Sequence, residues 1–389
     1  MSLSKIKFNR NECAGAFGDI GTDFPLIVAM ILAAGLYTPS VLIVFGLMQI
    51  FTGLVYRMPM PVQPLKAMAT IVISQKIAGT ILLGAGLAIG VVMLILSLTG
   101  LLDKLAQWVP KAVVRGIQFG LGLSLCLLAF KEYIPATGLN GFIIAAIAFV
   151  LIIALIDNRQ YPASLIVILG GILYAVLTKL NLHELAGSAG FTLPHIHTPS
   201  IDDIAKGFVL LALPQIPLSL GNSILATRQV AHDLFPQRTD LTIRKIGLTY
   251  SIMNLVAPWV GGIPCCHGAG GMVGHYTFGG RTGGSVILYG ALFILLGIFF
   301  GNSIHQLIEV FPLPVLGTIL LFEGAALILL IRDLAHDQKG LVVAILTGLL
   351  AFGLPYGFLV GIVVGLLLHY LPVNLNTLKE IGRKKDKTG

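Results

Sequence analysis

The chain is predicted to be an all-α polytopic membrane protein with about 14 transmembrane segments in a 7+7 inverted repeat, two of them half-helices. Three observations predict this. Only 11% of its 389 residues are charged and 56% are hydrophobic, where soluble domains carry about 25% charged residues. Apolar runs long enough to cross a bilayer recur throughout, such as "TILLGAGLAIGVVMLILSLTGLL" at 80–102 and "GGSVILYGALFILLGIFFG" at 283–301. Several landmarks in the first half return in the second at a nearly constant offset.

Taken in order, the apolar blocks fall at 13–36, 39–56, 62–76, 79–100, 111–130, 139–156 and 162–179, then 207–230, 243–261, 265–278, 283–301, 313–331, 340–354 and 356–372. The first repeat occupies 1–180 and the second 207–372, joined by the loop 181–206 and followed by the basic cytoplasmic tail 373–389. The N-terminal "MSLSKIKFNRNE" is polar and basic, so no cleavable signal peptide is expected. The net charge of +8 is a topology signal. With both termini cytoplasmic, about twenty of the Lys and Arg residues fall on the inner side, which predicts an integral protein of the plasma (inner) membrane and no nucleic-acid partner. Cys13, Cys126, Cys265 and Cys266 lie in or beside apolar segments and form no disulfide framework.

The repeat rests on three anchors. Pro61 and Pro264 stand 203 residues apart, as do Gly18 in "FGDIG" and Gly221 in "LGNSI", which sets Asp19 against Asn222; Pro110 and Pro312 stand 202 apart. An odd number of spans per repeat inverts the second copy, and inverted repeats with broken helices mark secondary transporters.

The broken segments carry the chemistry. "MPMPVQP" and "GIPCCHGAGG" each precede about a dozen helical residues, too few to cross roughly 30 Å of hydrocarbon at 1.5 Å per residue. They read as half-helices starting near the midplane, whose unpaired N–H groups and positive dipole ends would together enclose an anion. Val62, Gln63 and Lys66 on the first, and Cys265, Cys266, His267 and Gly268 on the second, are the substrate-binding candidates, with Asp19, Thr22, Gln215, Ser219 and Asn222 from neighbouring spans. Carboxylates inside a span are costly and usually functional. Asp19, Asp23 and Glu323 are therefore the proton-coupling candidates, since a carboxylate facing an anion must be protonated or repel it. Lys66 and Arg115 would supply positive charge, or else snorkel to the interface; Arg228 is a further polar group in a span. His183, His195 and His197 in the long loop read as solvated.

Other readings compete. A zinc site would need more thiols or histidines than Cys265, Cys266 and His267 at chelating spacing, and "GAGGMVG" lacks the Gly-Lys-Ser/Thr of a phosphate loop. The glycines could serve only close helix packing. No metal or cofactor is expected. An intramembrane metalloenzyme is the reading from another class, and a nucleobase permease would want carboxylates in the tenth segment, where none occurs.

The segments "GAFGDIGTDFPL" (15–26), "MPMPVQPLKAMA" (58–69) and "PCCHGAGGMVGHYTFGGRTG" (264–283) resemble the signatures of the molybdate transporter family, distant relatives of the SulP sulfate permeases. "VPKAVVRGIQ" (109–118) is similar to the segment those permeases carry before their fifth helix. The resemblance spans nearly the whole chain. It implies a core and a gate domain, each drawn from both repeats, with molybdate or sulfate held between the third and tenth segments, at residues 61–64 and 267–271. It leaves a homodimer open. SulP permeases usually append a STAS domain; only residues 373–389 follow the last predicted span here, as expected of the molybdate branch.

Overall fold

A computed structural model describes residues 5–155, 163–179, 187–188 and 190–371; the basic tail 373–389 and His183 lie outside them. The apolar runs form helices whose ends follow local chemistry. α1 (Arg10–Ala16) begins at Asn9, whose side chain accepts from the Glu12 amide. α2 (Ile20–Ala34) ends at Gly35, in the left-handed region at φ 63°, and α3 (Thr38–Tyr56) follows. The predicted single segment 13–36 is corrected to α1 and α2, bent by 41° at the break. Gly18 sits in that break against the Gly274–His275 backbone, where a Cβ would approach Gly274 C to 2.4 Å.

Segment 62–76 resolves into β1 (Val62–Pro64) and α4 (Lys66–Gln75). Then come α5 (Gly79–Thr99), an unanticipated α6 (Leu101–Trp108), α7 (Lys111–Leu128), α8 (Leu139–Leu155) and α9 (Ala163–Thr178). α10 (Ile201–Leu234) starts at a capping box of Ser200 and Asp203, so a helix begins inside the predicted loop 181–206. It contains π turns at Phe208–Ala212 and Ser219–Leu225. Pro214 and Pro217 between them lack the N–H an α-helical ladder needs. Within the described part of that loop, His195 stacks on Tyr37 at 3.8 Å, and the His197 amide donates to Trp259 O.

α11 (Ile243–Val256) precedes β2 (Cys265–His267) and α12 (Ala269–Thr277). α13 (Gly284–Val310) runs beyond its predicted end at 301, followed by α14 (Leu313–Leu329), α15 (Gln338–Gly353) and α16 (Gly357–Tyr370). Among the described residues, six helices are long and apolar enough to cross a membrane, or seven if α1 and α2 make one span. Four shorter apolar helices stand at Leu139–Leu155, Ile166–Thr178, Gln338–Gly353 and Gly357–Tyr370. On α8, Phe142, Ile143, Ile147, Val150 and Ile153 are exposed, an outward apolar face that water would not support and lipid does.

β1 and β2 pair antiparallel, Val62 with His267, Gln63 with Cys266 and Pro64 with Cys265. Two buried amide side chains close their outer edges. Gln49 on α3 accepts from Val62 N at 2.9 Å and donates to Val62 O at 2.7 Å. Asn254 on α11 accepts from Cys265 N at 3.0 Å and donates to Cys265 O at 2.7 Å. Leu65 N donates to Pro264 O and Gly268 N to Pro61 O. The helices sort into two groups around this pair. α3 packs along α13, and α5 along α10 and α11; α7 packs against α14 and α15, with α16 beside α15.

The α3–α13 contact depends on absent side chains, as close helix packing in lipid does. A Cβ on Gly290 would stand 2.5 Å from Gly46 O, and one on Gly46 2.4 Å from Gly290 O. Gly290→Ala is expected to destabilise the detergent-purified protein by about 1–3 kcal/mol, the usual effect of overpacking. Gly170→Ala, where a Cβ meets nothing within 4 Å, should leave the thermal midpoint in place.

Candidate functional site

A cavity of about 280 Å³ opens where the two helix groups meet the strand pair. Gln63, Lys66, Gln215, Asn222, Cys266 and His267 line it, with Ala269 and Gly270 at the start of α12; Arg115 and Leu330 come from the α7–α14 side. A wider cavity of about 630 Å³ adjoins it through Ala226 and carries Arg228. Six of the twelve sequence-predicted binding residues thus share one cavity: Gln63, Lys66, Gln215, Asn222, Cys266 and His267.

The other six stand behind it. Val62 is wholly buried in the ladder. The Cys265 thiol donates to Ile263 O at 3.1 Å, and Gly268 is the N-cap of α12. Ser219 accepts from Gln215 Nε2 at 3.1 Å and shares a 2.8 Å hydrogen bond with the Tyr250 hydroxyl. Thr22 is half-buried near the start of α2. Asp19, 4% exposed, accepts from Gln63 Nε2 at 2.9 and 2.7 Å through its two oxygens. Asp23 is fully buried, with neither oxygen given a donor among the described residues. Glu323 is half-buried on α14, within electrostatic reach of both aspartates.

The expectation that both half-helix N-termini are open to a ligand is corrected. At α4, Gln215 Oε1 accepts from Ala67 N at 2.9 Å and Met68 N at 3.3 Å, so a side chain already fills that place. At α12, the amides of Ala269, Gly270 and Gly271 have no acceptor among the described residues, and the first two face the cavity. Lys66 has no ion pair among the described residues, whereas Arg115 pairs with Asp333 and donates to Gln118 Oε1 at 2.8 Å. The cavity thus brings together a helix N-terminus with free amides and an ammonium without an ion pair among the described residues, a combination that favours negative charge.

His267 is held from behind. Its Nε2 lies 2.7 Å from Thr249 Oγ1, which also sits 2.6 Å from the Tyr56 hydroxyl, and its Nδ1 has no hydrogen-bond partner among the described residues. Farther out, Arg238 and then Lys245 hold the Asp240 carboxyl well below the usual carboxylate range, and Lys245 Nζ stands 5.3 Å above the Tyr56 ring. Sequence reading missed Gln49, Tyr56, Thr249 and Asn254; the signal was a polar residue inside an apolar run, as in "VLIVFGLMQIFTGL". Among the described residues no group of three or more His, Cys, Asp or Glu could hold a metal ion.

Gln215→Leu removes the acceptor from two buried N–H groups of α4. A loss of about 1–3 kcal/mol is expected, read as a lower thermal midpoint of the purified protein.

The family described as "Molybdate transporter of MFS superfamily" matches residues 11–125 and 207–327. Molybdate transporter 1 of Arabidopsis thaliana is 32% identical, covering 90% of this chain and 86% of its own length. Molybdate transporter 2 of the same plant is 30% identical over 97% and 91%, and molybdate transporter 1 of Chlamydomonas reinhardtii 27% over 91% and 90%. In fold, the chain is similar to the transmembrane domain of a cyanobacterial bicarbonate transporter, BicA, with a TM-score of 0.66, 17% identity and coverage of 95% and 100%. It is also similar to the murine anion transporter Slc26a9, with a TM-score of 0.71, 12% identity and coverage of 98% and 70%. The fold relatives are thus a bicarbonate transporter and an anion transporter of solute carrier family 26. With these relatives the chain is an integral membrane transporter and not an enzyme, and it belongs to the molybdate transporter family.

Proposed function

We propose that the chain is a secondary active transporter that takes up a tetrahedral oxyanion, molybdate, binding it in the cavity between the α12 N-terminus and Lys66. The observation that carries this reading is the meeting in one cavity of the Ala269 and Gly270 amides, which have no acceptor among the described residues, with the Lys66 ammonium, which has no ion pair among them. Backbone N–H groups and a lysine recognise oxyanion oxygens without covalent chemistry. Relatives bearing the name molybdate transporter favour that anion over sulfate, the other dianion such a cavity would hold.

The 7+7 inverted repeat draws support from the clamps. Val62 and Cys265 stand 203 residues apart, the offset of the proline anchors, and each is held at N–H and C=O by one buried amide side chain from a neighbouring helix. In this reading the α3–α5–α10–α11–α13 group is the core and the α7–α14–α15–α16 group the gate. The core carries the anion by an elevator-like or rocking motion, and the termini face the cytoplasm. Asp19 and Asp23, buried beside the site, couple transport to protons, with Glu323 nearby.

Proteoliposomes containing the full chain should accumulate molybdate saturably and faster with acid outside. No uptake with or without a pH gradient would overturn the assignment, and equal displacement by sulfate would move it to a general dianion permease. Lys66→Met should weaken molybdate binding about 10- to 100-fold, the worth of one charge-assisted hydrogen bond. The comparison is equilibrium binding to monodisperse variant and parent.

A further inference from the structure

Arg115 lines the cavity from the α7–α14 side, on the second turn of α7. That wall is close-packed. A Cβ on Gly116 would lie 2.5 Å from Thr347 Cβ on α15, and one on Gly122 would lie 2.5 Å from Gly324 O on α14, so α7 is seated directly on both helices. The guanidinium it carries is fixed at two of its three nitrogens. Nη1 donates to Gln118 Oε1 at 2.8 Å, and Nη2 donates to the Asp333 carboxylate. The third, Nε, is buried and has no hydrogen-bond partner among the described residues.

A planar guanidinium tied at both Nη atoms has no freedom to turn its Nε–H elsewhere. Gln118, three residues on and fully buried, accepts from Arg115 and has no partner for its own Nε2 among the described residues. The wall therefore holds a second unpaired donor behind the first. A buried N–H left without an acceptor is costly, and a ligand that brings acceptor oxygens removes the cost. Charge points the same way. Lys111 Nζ stands 3.5 Å from the Asp333 oxygen that Arg115 also reaches. Two cations thus share one carboxylate, and the cluster keeps a net positive charge.

A tetrahedral oxyanion seated on Lys66 and the α12 amides has further oxygens directed away from them. We propose that Arg115 completes the anion site from the opposite wall: its Nε–H, kept in place by Gln118 and Asp333, donates to one of those oxygens. The proposal rests on the oxyanion-transport reading above and adds a binding residue to it. The bound anion then bridges the two helix groups, with Lys66 and α12 on one side and α7 on the other, through charge-assisted hydrogen bonds from both.

The test is equilibrium binding of radiolabelled molybdate to the full chain in detergent, with the thermal midpoint of each variant measured without ligand. Arg115→Gln should weaken binding about 10- to 100-fold, the worth of one charge-assisted hydrogen bond. Arg115→Lys keeps a cation for Asp333 but has no Nε–H, and should stay about tenfold weaker than the parent. Asp333→Asn breaks the same ion pair yet leaves the guanidinium and an oxygen for Nη2, so it should cost binding far less than Arg115→Gln does. Parent affinity in Arg115→Gln would overturn the proposal and leave the transport reading standing. So would an equal loss in Arg115→Gln and Asp333→Asn with equal falls in midpoint, since Arg115 would then act only through the fold. Full affinity in Arg115→Lys would overturn the Nε–H contact, charge alone being sufficient. If monodisperse parent protein binds no molybdate, the proposal and the transport reading fall together. Should Arg115→Gln not fold, Arg115→Lys against Asp333→Asn decides.

Discussion

A backbone inside hydrocarbon has no water to bond with, so every N–H and C=O at that depth needs a partner within the protein. In this molecule that demand falls on residues 61–65 and 264–268, where two elements leave the helical ladder. They meet it by pairing with each other and by borrowing two amide side chains, Gln49 and Asn254, each of which reproduces the donor and acceptor of a missing strand. Everything at the site is placed by that pairing. It fixes where α4 and α12 begin, and so where Gln63, Lys66, Cys266 and His267 stand relative to the cavity.

The pairing creates two helix N-termini but treats them differently. Gln215 fills the first with a neutral carbonyl oxygen, and its own NH₂ is passed to Ser219 and on to Tyr250. The second is left open beside Lys66. A cavity with two open ends and a lysine would hold a dianion tightly enough to hinder its release, whereas transport requires binding that can be undone. With one end closed, fewer fixed donors surround the cavity, and Gln63 is held from behind by the Asp19 carboxylate. His267 is held from behind as well. Its Nε2 is fixed on Thr249, Thr249 on Tyr56, and Tyr56 lies under Lys245, so that wall of the cavity is braced from the loop inward.

The sequence made legible whatever depends on composition and chain order. Apolar runs located the helices, and proline or glycine before a short apolar piece located both breaks. Residues chosen because a polar group in a span needs a reason, such as Lys66, Gln215 and Asn222, came to one cavity. What stayed hidden depends on partners far apart in the chain. That Gln215 would close α4 rather than face a ligand involves residues 148 positions apart, and no periodicity encodes it. Gln49 and Asn254 looked like isolated polar residues because their partners are backbone atoms, which carry no residue type to match. Asp19 reads from the sequence as a group facing the anion, whereas its partner in the fold is Gln63, 44 positions away in the chain.

The placement of the lining residues bears on how such a site could move without coming apart. Eleven of the thirteen lining residues belong to the strands, α4, α10 and the start of α12; Arg115 and Leu330 come from the α7–α14 side, against which α4 also packs. Arg115 is also tied to its own side, by Asp333 and Gln118. If the first group slides against the second, the open amides, Lys66 and Gln63 travel together and the anion's contacts persist, while its approach to Arg115 changes. On the proposed reading, a guanidinium anchored on the second group would act on the anion over only part of such a path. The anchor matters as much as the charge. Without Asp333 and Gln118 to hold it, a side chain as long as arginine would follow the anion, and the two ends of the path would no longer differ.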